Sequence, residues 1–117
     1  MVRPPQLPMI DRDHAIAEIQ ARLSDVLNYD TEDPMTPIDP ISYRTPEGDS
    51  CLHLACVRGD IKAAEILIGL GLDVNSAGDL GNTPLHYAKT YGYSELADLL
   101  VRHGADATCV NELGTAP

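Results

Sequence analysis

The chain has 117 residues, of which 44% are apolar, which is enough for one small domain with a core. Eighteen acids against eight Lys and Arg leave a net charge of −10, which argues against a basic nucleic-acid face or attachment to an anionic membrane surface. Solubility and steering toward a basic partner are the physical consequences that remain.

There is no Trp and no Phe beside five Tyr, so the core must be aliphatic. Such a core suits closely packed helices with small residues at their contacts. Three cysteines, Cys51, Cys56 and Cys109, form no disulfide framework. The opening residues "MVRPPQLPMIDRDH" lack a long apolar stretch, so neither a signal peptide nor a membrane span is expected. A cytoplasmic, reducing location is the natural expectation.

Residues 1–10 carry three prolines and are expected to trail over the surface. In "HAIAEIQARLSDVL", residues 14–27, Ile16, Ile19, Leu23, Val26 and Leu27 recur at helical spacing, while Glu18, Gln20, Arg22 and Asp25 oppose them. This predicts an amphipathic helix over about 13–28, capped by Asp11 or Asp13. Its polar face is not basic, so docking on the rest of the chain is favoured over a membrane surface. Residues 28–49 follow as an acidic loop, because Pro34, Pro37, Pro40 and Pro46 forbid a continuous helix. Ile38, Ile41 and Tyr43 are placed to pin it.

From residue 45 onward the sequence repeats. His53 and His86 lie 33 positions apart, as do Gly48 and Gly81, Gly59 and Gly92, Leu67 and Leu100, Gly71 and Gly104, and Asp73 and Asp106. Such a period marks stacked supersecondary units. In the second unit Thr83 is the predicted N-cap, Pro84 occupies the first helical position, and Gly92 ends the helix. Ser94 is read as the next cap, Leu96, Ala97, Leu99 and Leu100 as the buried stripe, and Gly104 as the stop. In the first unit Ser50 caps, Gly59 stops, Asp60 caps again, Ile61, Ala64, Leu67 and Ile68 pack, and Gly71 stops. Between the helix pairs, residues 72–82 carry turn chemistry in Asn75, Gly78, Asp79, Gly81 and Asn82. A projecting hairpin-like loop is expected there.

The run Gly81-Asn82-Thr83-Pro84-Leu85-His86-Tyr87-Ala88, with Leu99-Leu100-Val101-Arg102-His103-Gly104-Ala105-Asp106 after it, resembles the ankyrin-repeat family. Ser50-Cys51-Leu52-His53 and Leu72 are mild departures in the first repeat, and "NELGTAP" opens a third. The resulting division is an N-terminal extension over 1–44, repeats over 45–77 and 78–110, and a partial repeat over 111–117. The resemblance implies an all-α, L-shaped solenoid of helix pairs. It also implies protein binding through loop tips and the exposed face of each first helix, with no catalysis. About three repeats are normally needed for stability. The helix over 13–28 is therefore expected to cap the first repeat in place of a missing unit. The C-terminal side has no obvious cap, so Leu96 and Leu100 are expected to stay partly exposed. A second copy of the chain could cover them as a homodimer.

His53 and His86 are read as tying cap to neighbouring loop rather than as chemistry. Cys51, His53 and Cys56 cannot converge on a metal from one helix, and Cys56 with His53 lacks an orienting third group. No metal, cofactor or catalytic residue is assigned. The candidate partner-binding residues, by repeat position, are Glu47, Asp49, Val57, Arg58, Asp79, Leu80, Asn82, Thr90, Tyr91, Glu112 and Leu113, with Thr115 beside them. Tyr91 is a candidate anchor, and packing is favoured for Tyr93. The expected function is a non-catalytic module that binds another protein, with a basic partner suited to the acidic edge. The alternative is a small acidic inhibitor, immunity-like, that neutralises a basic enzyme or toxin.

Overall fold

The structure is a computed structural model that describes residues 12–23 and 39–117. Among the described residues the helices are α1 (Arg12–Arg22), α2 (Cys51–Arg58), α3 (Ile61–Gly69), α4 (Pro84–Thr90) and α5 (Ser94–Arg102), with a 3-10 turn at Asp79–Gly81. Among the described residues the only β-type pairing is an isolated antiparallel bridge between Arg44 and Ser50. The expected all-α architecture is the one observed.

Local chemistry starts each inner helix in the same way. Ser50 accepts from the His53 N–H and its own N–H donates to His53 Nδ1 at 3.0 Å, a reciprocal capping box with histidine in the usual Glu/Gln position. Thr83 and His86 repeat this arrangement, with 2.9 Å for the second bond, and Pro84 fills the first helical position. Gly59 and Gly92 then turn left-handed, at φ +69° and +75°. That turn lets Asp60 N–H reach Ala55 O at 3.0 Å and Tyr93 N–H reach Ala88 O at 2.9 Å, satisfying carbonyls the helix would orphan.

The outer helices begin differently from one another. Asp60 caps α3 by accepting from Ala63 N–H at 3.0 Å. At the equivalent point of α5 the N-cap is Tyr93, which makes no side-chain cap bond. Ser94, read from the sequence as the cap, is instead the first helical residue. The reason is register: Ser94 aligns with Ile61, and Tyr93 with Asp60.

The helices pack in two rows. The inner pair α2 and α4 lie side by side, and each packs on its own outer helix, α3 or α5. In the outer row α1 contacts α3 and α3 contacts α5. Leu52, Leu67, Leu85, Leu96 and Leu100 are fully buried between the rows. Each stabilises the fold by roughly 1.5–3 kcal/mol relative to an exposed side chain. Leu96 and Leu100 are therefore not left exposed on the C-terminal side, contrary to the sequence expectation, because the α5 stripe turns toward α3. The apolar residue that α5 does leave in solvent is Val101, at 50% exposure.

Helix α1 closes the other end. Ala15, Ile19 and Leu23 join the core, while Ile16 is only half-buried. Of the two proposed caps, Asp13 lies within the first turn, and Asp11 is outside the described residues, as are Val26 and Leu27. The Arg22 guanidinium meets Asp60 at 3.1 and 3.2 Å and Glu18 at 3.3 Å, and Arg22 O accepts from Arg58 at 3.4 Å. Asp60 thus caps α3 and anchors α1 at one point. In the stretch before α2, Pro40 is fully buried, Tyr43 packs on the core and Ile41 is half-buried, whereas Ile38 is outside the described residues.

Candidate protein-binding site

The loops that precede the inner helices form a row of fingers, and each finger is strapped to the next. His53 is the first strap. Because its Nδ1 accepts the Ser50 N–H, its proton sits on Nε2, which donates to Ser76 O at 2.8 Å and Asn82 O at 3.0 Å. His86 does the same one repeat later, donating to Thr115 O at 2.8 Å. Both histidines thus tie cap to loop, as their spacing predicts. Burial lowers the His53 pKa, and the nearby Asp49 charge opposes that shift.

Further straps fill the row. Arg44 reaches Gly48 O, Ala77 O and Ser76 Oγ at 2.8, 3.2 and 2.7 Å. Asn75 bridges to Gly104 O at 3.1 Å and accepts from Asp106 N–H at 2.7 Å. Glu112 N–H donates to Leu80 O at 2.9 Å, joining the last two finger tips by backbone alone. Gly81 permits that approach, since a Cβ there would lie 3.0 Å from the Glu112 nitrogen.

The candidate residues divide on this frame. Two have side chains committed inside it. Asp49 accepts from Asp79 N–H at 2.9 Å and from the Tyr87 hydroxyl at 3.0 Å, and Asn82 accepts from Asn111 Nδ2 at 2.8 Å. Val57 is half-buried with its carbonyl accepting from Tyr93, and the exposed Arg58 lies beside α1. Asp79 is half-buried. Glu47, Thr90, Glu112 and Thr115 are exposed. So are three large apolar side chains: Leu80 at 50%, Tyr91 at 53% and Leu113 at 72%. Leu80 and Leu113 stand 33 positions apart, at equivalent places on successive fingers. Leu80 also holds φ +55°, a left-handed conformation that costs an L-residue roughly 1–2 kcal/mol.

Tyr91 and Tyr93 stack with ring centroids 6.1 Å apart, but their surroundings differ. Tyr93 is half-buried against the core and its hydroxyl donates to Val57 O at 3.4 Å. Its packing role is the one expected. A groove of about 280 Å³ runs past Gly92, lined by Ala88, Ala97 and Val101 and by Tyr93 itself. Sequence reasoning missed this groove, whereas the equivalent place beside Gly59 is filled by Tyr93.

The cysteine chemistry is constrained by burial. Cys51 and Cys56 are buried, which pushes both thiols up to about 12. With both His53 nitrogens hydrogen-bonded, the Cys56 and His53 pair offers neither thiolate nor base.

A family model described as ankyrin repeats (3 copies) matches residues 23–111. The match reaches upstream of residue 45, into the stretch that reads as an extension. No curated protein shows significant similarity to the chain. With about three-quarters of its length under that family model, and with the strapped helix pairs that the model's repeats require, the chain belongs to the ankyrin-repeat family.

Proposed function

We propose that the chain is a non-catalytic binding module that engages a partner protein along its finger tips and the exposed end of α4. What supports this reading is one observation: a rigid row of fingers carries Leu80 and Leu113 into solvent, where neither serves the core. Tyr91 is exposed at the far end of α4, and Glu47 and Glu112 are exposed on the fingers, which suits a basic partner. A reducing compartment suits the three free thiols. The test is affinity capture from a cell extract with the parent chain and with a Leu80→Ala, Tyr91→Ala variant. A partner retained by the parent and lost by the folded variant is the expected result. Equal capture by both would overturn it. One stoichiometric partner that loses its own activity would identify the inhibitor form of this function.

A second reading, self-association through the groove beside Gly92, is favoured by that groove's open, small-residue floor. Light scattering decides it, since a dimer supports the reading and a monomer across the working concentration range removes it.

A further inference from the structure

We infer that the groove beside Gly92 receives the Tyr91 ring of a second copy of this chain, in a twofold pair in which each copy gives its ring and takes the other's. The inference rests on the self-association reading and names the side chain that makes the contact.

The fold itself shows what such a groove holds. Gly59 and Gly92 stand at the same repeat position with nearly the same left-handed turn, φ +69° and +75°. At Gly59 the Tyr93 ring lies 2.9 Å from where a Cβ would stand, and its hydroxyl donates to Val57 O at 3.4 Å. At Gly92 nothing lies within 4 Å of the same point. The carbonyl in the place of Val57 O is that of Thr90, an exposed residue. The same contact there calls for a tyrosine, with a ring for the glycine and a hydroxyl for the carbonyl.

The chain carries that side chain on the same rim. Tyr91 adjoins Gly92, is 53% exposed, and stacks on Tyr93, which lines the groove. Among the other described tyrosines, Tyr87 and Tyr93 commit their hydroxyls to Asp49 and Val57 O, and Tyr43 packs on the core. A patch that holds both a ring and its receptor is self-complementary, as a twofold interface requires.

Charge favours the same occupant. The groove carries one charge of each sign, Lys89 and Asp98, both exposed, and among the described residues neither is in an ion pair. A twofold pairing can set each against its opposite on the other copy. A strongly basic or strongly acidic partner would meet one of the two unfavourably.

The experiment is sedimentation velocity on the full chain from about 10 μM to about 1 mM. The parent is expected to dimerise. Tyr91→Ala is expected to weaken the dimer at least about tenfold, and Tyr91→Phe, which keeps the ring and loses the hydroxyl, to weaken it less. Lys89→Glu and Asp98→Lys should each weaken it, and the two together should restore it. These side chains are exposed, and circular dichroism confirms that the variants stay folded. A chain that stays monomeric up to about 1 mM overturns the inference and the self-association reading together. A dimer broken by Val101→Lys but unchanged by Tyr91→Ala removes the ring and leaves the groove as the interface. A dimer indifferent to both removes the groove as well. A double charge exchange no tighter than either single one overturns the twofold arrangement. The finger-tip reading is decided apart from all of these, by affinity capture with Leu80→Ala alone.

Discussion

The ring of Tyr93 occupies the space beside Gly59 so closely that a Cβ on that glycine would lie 2.9 Å from it. Gly59 is thus needed twice, once for φ +69° and once to admit the neighbouring repeat's aromatic ring. Gly59→Ala is expected to cost about 1–3 kcal/mol in urea unfolding, and Tyr93→Ala about 2 kcal/mol. The double variant should cost less than the two added together, because removing the ring relieves the clash while leaving the backbone strain. Strict additivity would show that ring and glycine do not press on each other.

Asp60 is expected to matter more than the arginine it binds. It caps α3 and also receives Arg22, whereas the Arg22 side chain is about a third exposed. Asp60→Ala should cost about 1–2 kcal/mol, the loss of a cap. Arg22→Ala should cost under about 1 kcal/mol, as exposed ion pairs do. Denaturant midpoints of the two variants check the order.

How much of this was legible in the sequence follows from the range of each interaction. The starts of α2 and α4 were readable because a cap is settled within three residues, as Ser50 with His53 and Thr83 with His86 demonstrate. The inner helix ends were readable because Gly59 and Gly92 act locally. The burial of Leu96 and Leu100 was not, because it depends on how α5 rotates against α3. Neither was the inward use of Asp49, whose partners Asp79 and Tyr87 lie 30 and 38 residues away. The strained conformation of Leu80 follows from a finger held at both ends, and no residue type announces it.

The lowered His53 pKa sets a pH dependence. Its folded value lies below the ordinary 6.5, so the unfolded chain binds the proton more readily. Stability from this group is complete above about 6.5 and is lost as pH falls through that value toward the folded one. Protonation would also turn Nδ1 from acceptor to donor against the Ser50 N–H. Urea midpoints at pH 7.5 and 5.5 should show a fall in the parent that is smaller in a folded His53→Gln variant. An equal fall in both would remove His53 as the cause.

Thiol reactivity should follow burial. Cys51 and Cys56, buried with thiols near 12, should resist a thiol reagent until the chain unfolds, while the partly exposed Cys109 reacts first. Mass spectrometry of the native and denatured protein distinguishes one modified site from three. Rapid native labelling of Cys56 would mean that the stack opens readily around α2.

Leu80 brings the functional reading to a single measurement. A leucine that is half exposed and left-handed serves the fold poorly, and the proposed function assigns it to partner contact. Leu80→Gly should relieve the φ +55° conformation and raise stability by about 0.5–1 kcal/mol, a few degrees in Tm. The same variant should bind the captured partner more weakly by about tenfold. Opposite signs of the two effects are the expected result. A variant that loses stability and keeps its affinity would show that Leu80 belongs to the fold and would contradict the assignment of the finger tips as the binding surface.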